Sequence, residues 1–102
     1  GIDCEDQVVW HEWTPGVESV KDLVLKNVAL VTQKVRFSLT STNQFDVPYP
    51  QPFRLAPGMK KSIPISFRPA KYEPHVDRVQ ILVGGGHFYV TVKAVVKDIA
   101  LT

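Results

Sequence analysis

The sequence contains a single cysteine, Cys4, among its 102 residues. One cysteine cannot form an internal disulfide, so no covalent cross-link supports the fold. The scarcity of thiols fits a reducing compartment, and we expect a cytoplasmic protein. A chain of this length buries roughly 65% of its unfolded surface, which is enough for a hydrophobic core without metal or disulfide.

Long apolar runs and a strong charge of either sign are also missing. No stretch approaches the roughly 20 apolar residues that cross a bilayer, and no signal-peptide pattern is present. Lys and Arg number 12 against 10 Asp and Glu, so the net charge is only +2. This weak and scattered charge argues against nucleic-acid binding. Because the sequence starts with Gly1 and stops without a tail, we expect residues 1–102 to be one domain of a longer multidomain protein.

Motifs for catalysis, metals and cofactors are absent as well. The three histidines, His11, His75 and His87, are too dispersed to form a spaced metal motif. The triplet "GGG" at 84–86 lacks the Lys-Ser/Thr pair of a phosphate-binding loop and is predicted to be a hairpin turn with positive φ. No Gly-x-Ser-x-Gly elbow occurs. We therefore predict a protein without enzymatic activity, metal, cofactor or small-molecule substrate.

The dominant positive signal is the alternation of apolar and polar residues with period two, which is typical of half-buried β-strands. It is clear in the segments 34–40, 62–68, 77–83 and 87–97, and turn residues break the pattern at 14–16, 27–33, 56–58 and 84–86. No segment has helical periodicity. Short strands at this spacing predict an all-β, immunoglobulin-like antiparallel sandwich of about seven strands. The predicted core includes Phe37, Ile65, Phe67, Ile81 and Val90.

Two proline-containing segments constrain the topology. Pro64 lies inside the alternating stretch "SIPISFRP" at 62–69. Proline has no N–H for a central ladder, so we predict that Pro64 lies on an edge strand or bulge with its nitrogen facing no paired strand. The segment "VPYPQPF" at 47–53 has three alternate prolines. It is predicted to be an extended crossing between the two sheets.

An ordered set of short motifs extends over about residues 17–97. Together they resemble the ASH domain, a branch of the major-sperm-protein, PapD-like superfamily. The family pattern is a Leu-x-Leu-x-Asn strand, an aromatic strand, a Phe-x-Val-x-Pro segment, a Pro-Gly turn and a strand ending in Phe-x-Pro. The matching residues are Leu23, Leu25 and Asn27; Phe37; Phe45, Val47 and Pro48; Pro57 and Gly58; and Phe67, Arg68 and Pro69.

This resemblance implies a non-enzymatic interaction or scaffold module of the ciliary or flagellar axoneme. The implied place is the central apparatus, with a role in flagellar assembly or motility. The implied partners are other axonemal proteins and microtubules, and the isolated domain is expected to be monomeric. The alternative is a VAP-type domain of the same superfamily, which binds acidic FFAT peptides. That class has a lysine-threonine-threonine run where this chain has Thr40, Ser41 and Thr42, so the key lysine is missing.

Basic residues form the only polar surface that suggests a binding site, because they could meet an acidic surface such as a tubulin tail. A solvated face without a function remains the alternative. Trp10 and Trp13 are out of phase, so we expect one in the core and the other as a possible anchor for a partner. The candidate partner-binding residues are Lys34, Arg36, Arg54, Lys60, Lys61, Arg68 and Trp13.

Overall fold

The computed structural model describes residues 2–39 and 44–96, and all of its regular elements are strands. None of the described residues belongs to a helix that could span a membrane. The nine strands are β1 (Ile2–Asp3), β2 (Gln7–Trp10), β3 (Ser19–Asn27), β4 (Gln33–Leu39), β5 (Phe45–Asp46), β6 (Phe53–Leu55), β7 (Lys60–Phe67), β8 (His75–Val83) and β9 (Gly86–Ala94).

The strands form two sheets, which confirms the predicted sandwich. One sheet has the order β1-β3-β7-β5 and the other has the order β2-β9-β8-β4-β6. The described residues form nine strands, where about seven were expected. The difference arises because β1 and β5 are short strands of two residues each. The ladder between β2 and β9 is parallel, unlike the others. The reason lies in the path of the first strands. β1 pairs with β3 in one sheet, and the chain then crosses to the edge of the other sheet, where β2 runs in the same direction as β9.

The apolar side of each alternating strand faces the space between the sheets. All five residues predicted for the core are buried, and Ile65, Phe67, Ile81 and Val90 are completely inaccessible. Trp10 is buried with them, while Trp13 is half-buried at the margin of the core. The core residues are Val8, Trp10, Leu23, Leu25, Val35, Phe37, Phe45, Leu55, Ile63, Ile65, Phe67, Val79, Ile81, Val90, Val92 and Ala94.

Pro64 occupies a stretch of β7 that has a neighbour on one side only. It lies opposite Asp22 of β3, whereas β5 reaches only the last two residues of β7. The Arg68 N–H points to the β5 side, where it donates to the Gln44 carbonyl at 2.7 Å. Residues two apart in a strand direct their backbone groups to the same edge, so the Pro64 nitrogen also points outward. The prediction for Pro64 is confirmed, since no hydrogen bond of the ladder is lost.

Two loops have the conformations that their prolines and glycines predicted. The segment 47–52 contains no strand and connects β5 of one sheet to β6 of the other, which confirms the crossing. The turn between β8 and β9 contains Gly84 at φ +57°, a left-handed conformation that favours glycine. The hairpin prediction for 84–86 is therefore confirmed.

Candidate interaction surfaces

The outer face of the five-stranded sheet carries five basic side chains, which we call the basic face. Because Val35 and Phe37 point into the core, the alternation of β4 places Lys34 and Arg36 outside. Lys34 lies opposite Arg54 of β6, and Arg36 lies opposite Leu82 of β8. Further along the same face are the outward positions of β8 and β9. The basic face consists of Lys34, Arg36, Arg54, Arg78 and Lys93.

Acidic residues are missing from the outward positions of these five strands. The one carboxylate within them, Asp77, points inward and is only 4% exposed. The Arg78 guanidinium lies 5.0 Å from the centre of the exposed Tyr89 ring, within the range of a cation–π contact. A face with cations and no carboxylate has a positive potential although the whole chain has a net charge of only +2.

The six basic residues singled out in the sequence do not form one surface. Lys34, Arg36 and Arg54 lie together on the basic face, but Lys60, Lys61 and Arg68 belong to or follow β7 in the other sheet. Grouping all six was wrong, because alternation along a strand does not reveal which sheet the strand joins. Arg78 and Lys93 were missed for the same reason. In the sequence, Arg78 and Lys93 occupy the polar positions of the alternating segments 77–83 and 87–97, which face away from the core.

Arg68 and Lys61 are engaged in contacts of their own. Arg68 Nε donates to Glu18 Oε2 at 2.8 Å, and the buried Ser66 hydroxyl donates to the same oxygen at 2.6 Å. These hydrogen bonds lower the pKa of the Glu18 carboxyl, and the bond from Ser66 has a larger effect than the bond from Arg68. The Lys61 ammonium lies 5.7 Å from the centre of the Tyr49 ring. The structure thus gives both residues intramolecular partners.

The Glu18 contacts predict a pH-dependent contribution to stability. We expect the pKa of Glu18 to lie below the ordinary glutamate value of about 4.3. A folded pKa below the unfolded one stabilises the fold fully above the unfolded pKa, and this contribution is lost as the pH falls through the folded pKa. NMR titration of the carboxyl should show that Ser66→Ala raises the pKa, whereas Ser62→Ala on the same face of β7 leaves it unchanged. A Glu18 pKa at or above the ordinary value would contradict the contacts.

Trp13 has a packing role at the end of the sandwich. Its ring centre lies 5.1 Å from that of Phe67 and 4.9 Å from that of Tyr72. Its indole N–H donates to the Val95 carbonyl at 2.9 Å. The side chain is thus held between core and surface by its own domain. These contacts favour a structural role for Trp13 over that of an anchor for a partner, which stays a prediction.

The opposite end of the sandwich carries a feature that the sequence reasoning missed. Four apolar side chains project from two adjacent loops there, and we call them the apolar tip. The loops are joined by backbone hydrogen bonds from Asn27 to the Met59 carbonyl at 3.0 Å and from Gly58 to the Asn27 carbonyl at 2.8 Å. The available signal was the run "VALV" inside a predicted break. The apolar tip consists of Val28, Leu30, Val31 and Met59.

Asn27 fixes the conformation of the tip. Its side chain is inaccessible to solvent and uses both amide hydrogens, one for the Val31 carbonyl and one for the Leu55 carbonyl, each at 2.8 Å. Its amide oxygen accepts the Ala29 N–H at 2.9 Å. These contacts explain why an asparagine follows two buried leucines in the Leu-x-Leu-x-Asn strand.

Nothing in the described residues supports metal or thiol chemistry. No group of three potential metal ligands occurs among residues 2–39 and 44–96. Cys4 is half-buried, and its pKa is raised by burial and then by the nearby carboxylates of Asp3, Asp6 and Glu5. A thiol with a raised pKa is mostly protonated and a poor nucleophile.

Comparisons with known proteins give one consistent set of sequence relatives. No protein-family profile matches the chain. Over 94 residues the chain is 42% identical to cilia- and flagella-associated protein 65 of Chlamydomonas reinhardtii, covering 92% of this chain and 4% of the relative. The proteins of that name from Mus musculus and Homo sapiens are 37% and 34% identical over the same length. The chain thus spans only 4–5% of the length of these curated relatives.

Solved structures with the same fold come from several protein classes. The PapD-like domain 7 of human CEP192, an ASH domain, superimposes with a TM-score of 0.80 at 11% identity, covering 95% of this chain and 85% of that one. WR4, a major-sperm-protein family member of C. elegans, gives 0.69 at 12% identity, covering 94% and 97%. The YadV chaperone gives 0.71 at 11% identity, covering 99% and 54%. At these identities the comparison shows the fold alone.

Proposed function

Since the chain is a PapD-like domain of the ASH type and is related in sequence to one segment of cilia- and flagella-associated protein 65, we propose that it is a non-enzymatic interaction module of an axonemal scaffold protein. The basic face is the observation that carries this proposal. It presents Lys34, Arg36 and Arg54 side by side without a carboxylate among the described residues of that face. Such a face suits an acidic protein surface.

The names of the relatives support a proposal for the place of action. They are cilia- and flagella-associated, which supports a location in the cilium or flagellum. Within it we propose the central apparatus of the axoneme, where the domain would support flagellar assembly or motility. Its partners are other axonemal proteins and the acidic surface of microtubules. The proposed role is that of the domain alone, because the chain matches only 4% of the length of the Chlamydomonas relative.

Binding by the isolated domain is expected to be weak and sensitive to salt. The net charge of +2 gives little long-range attraction. The Debye length is about 8 Å at physiological ionic strength, so exposed charges are screened beyond the first contacts. A weak module can still hold its position if further binding sites of the same protein act together with it, because linked sites raise the effective concentration. The isolated domain is expected to be monomeric.

Charge reversal on the basic face tests the proposal. We expect Lys34→Glu with Arg36→Glu to weaken co-sedimentation with stabilised microtubules at low salt by about fivefold or more, since exposed charge contacts contribute roughly 0.2–1 kcal/mol each. Removal of the acidic tubulin tails by subtilisin should have a similar effect. Lys21→Glu with Lys71→Glu reverses two exposed charges away from the basic face and is the matched control.

Two results would contradict the proposal. One is tight binding that is unaffected as salt rises well above physiological strength. The other is an equal loss in the control variant, which would mean that only the total charge matters. The VAP-type alternative predicts tight binding of an acidic FFAT peptide. Its key positions, Thr40, Ser41 and Thr42, lie outside the described residues, so peptide titration decides between the two functions.

A further inference from the structure

The four apolar side chains of the apolar tip are all largely exposed to solvent. Leu30 is 96% exposed, Val31 63%, Val28 56% and Met59 54%. Single exposed apolar residues are ordinary on protein surfaces, but a contiguous group marks an interaction site. These four side chains belong to two loops that are hydrogen-bonded to each other. These bonds run through Asn27 at the end of β3, so the four side chains lie at the same end of the domain.

The patch is held in one conformation before any partner arrives. The Asn27 side chain makes three hydrogen bonds with backbone groups of Ala29, Val31 and Leu55. It thereby ties the loop of Leu30 to Leu55, the last residue of β6 in the other sheet. A preformed loop loses little conformational entropy on binding, so more of the contact energy remains as affinity. The tip is thus an ordered apolar projection and not a flexible linker.

Basic residues surround the tip on both sheets. Lys26 and Lys60 are directly opposite each other across β3 and β7, and Lys34 and Arg54 are opposite each other across β4 and β6. Like charges directly opposite each other in a sheet are destabilising, and an acidic partner would relieve this repulsion. Asp3 lies opposite Lys26, and Glu5 borders the same hollow, but the four cations outnumber these two carboxylates.

We propose that the apolar tip inserts into an apolar socket of an axonemal protein and that carboxylates at the rim of the socket meet the surrounding lysines and arginine. An apolar centre with a charged rim is the usual anatomy of a protein interface. A protein socket fits better than a bilayer, because the tip has none of the aromatic side chains that favour the membrane interface. This inference rests on the proposed function and identifies the part of the domain that makes the specific contact.

The test measures binding of the 102-residue chain to demembranated flagellar axonemes at physiological salt. We expect Leu30→Ser with Val31→Ser to weaken binding by at least about tenfold, which is typical of a truncated anchor. The matched control is Val17→Ser with Val20→Ser, since these valines are 55% and 52% exposed at the end of β3 away from the tip. The control should bind as the unchanged chain does. Melting temperatures of both variants should stay close to the original, because all four side chains are exposed.

Three outcomes would overturn the inference. Unchanged axoneme binding by the tip variant, together with loss in the Lys34→Glu, Arg36→Glu variant, would refute the anchor and leave the proposed function intact. Absence of any axoneme binding by the unchanged chain would refute both. The third is tip-dependent binding to vesicles of 70% phosphatidylcholine and 30% phosphatidylserine without tip-dependent binding to axonemes. That result would make the tip a membrane contact.

Discussion

Replacing Phe67 with alanine is expected to lower the free energy of unfolding by about 3–5 kcal/mol, the range for removing a fully buried phenylalanine. The ring is completely inaccessible and joins both sheets and the margin of the core. Its centre lies 4.7 Å from that of Phe45, 5.1 Å from that of Trp13 and 5.5 Å from that of Trp10. Alanine would leave a cavity that these rigid aromatic neighbours fill only in part.

Urea denaturation of the 102-residue chain measures this effect. The loss is a large fraction of the total stability of a small domain, about 5–15 kcal/mol. Phe67→Leu should cost clearly less, because it retains most of the buried volume. Tyr89→Ala is an aromatic control on the exposed face, and we expect it to change stability by less than about 1 kcal/mol. A Phe67→Ala variant that unfolds at the same urea concentration as the original would show that the core is packed differently.

Replacing Asn27 with alanine is expected to lower the free energy of unfolding by about 2–4 kcal/mol. Each of its three side-chain hydrogen bonds contributes roughly 1 kcal/mol, and leaving the buried Leu55 carbonyl without a partner adds a desolvation penalty. Hydrogen exchange at the Ala29 amide should become faster, since that N–H loses its acceptor. Thr32→Ala in the same exposed loop is the control and should be neutral within about 0.5 kcal/mol.

The Asn27 variant also connects stability with binding. If the tip is an anchor because its loop is preformed, Asn27→Ala should weaken axoneme binding even under conditions where the domain is fully folded. The exposed side chains of Leu30 and Val31 are still present in this variant. A stability loss without any change in Ala29 exchange would show that Asn27 supports the core but does not hold the loop.

The core and the prolines could be predicted from the sequence because their signals are local. The alternation in 62–68 places Ile65 and Phe67 on one face whatever sheet the strand joins. The missing N–H of Pro64 restricts its position in the same way. Both predictions are confirmed. They were possible from the sequence because each depends only on the geometry of a single strand.

The surfaces could be predicted only in part because they depend on pairing between distant segments. Arg54 lies beside Lys34 through the β4–β6 ladder, whereas Lys60 lies beside Lys26 in the other sheet. Alternation alone cannot separate these two groups. The parallel position of β2 against β9 was missed for the same reason, since no local pattern states which strand becomes the neighbour.

The apolar tip was missed because its structure depends on hydrogen bonds between segments that are far apart in the sequence. The sequence "NVALVTQ" at 27–33 indicates a break between strands, and this much is correct. The hydrogen bond from Asn27 to the Leu55 carbonyl, 28 residues further along the chain, helps to hold the break as an ordered loop in which Leu30 is exposed. Asn27 was recognised as part of a family pattern, but its role in holding the loop is visible only from its contact with β6 of the other sheet.

We propose that this domain binds other proteins of the ciliary axoneme and, as part of a longer chain, helps to hold that chain there. The most direct measurement locates the labelled full-length protein in ciliated or flagellated cells, before and after detergent removes the membrane. We expect the label along the axoneme, retained after demembranation, and reduced when the protein carries Leu30→Ser and Val31→Ser. A label on the endoplasmic reticulum or throughout the cell body, with none on the axoneme, would contradict the claim.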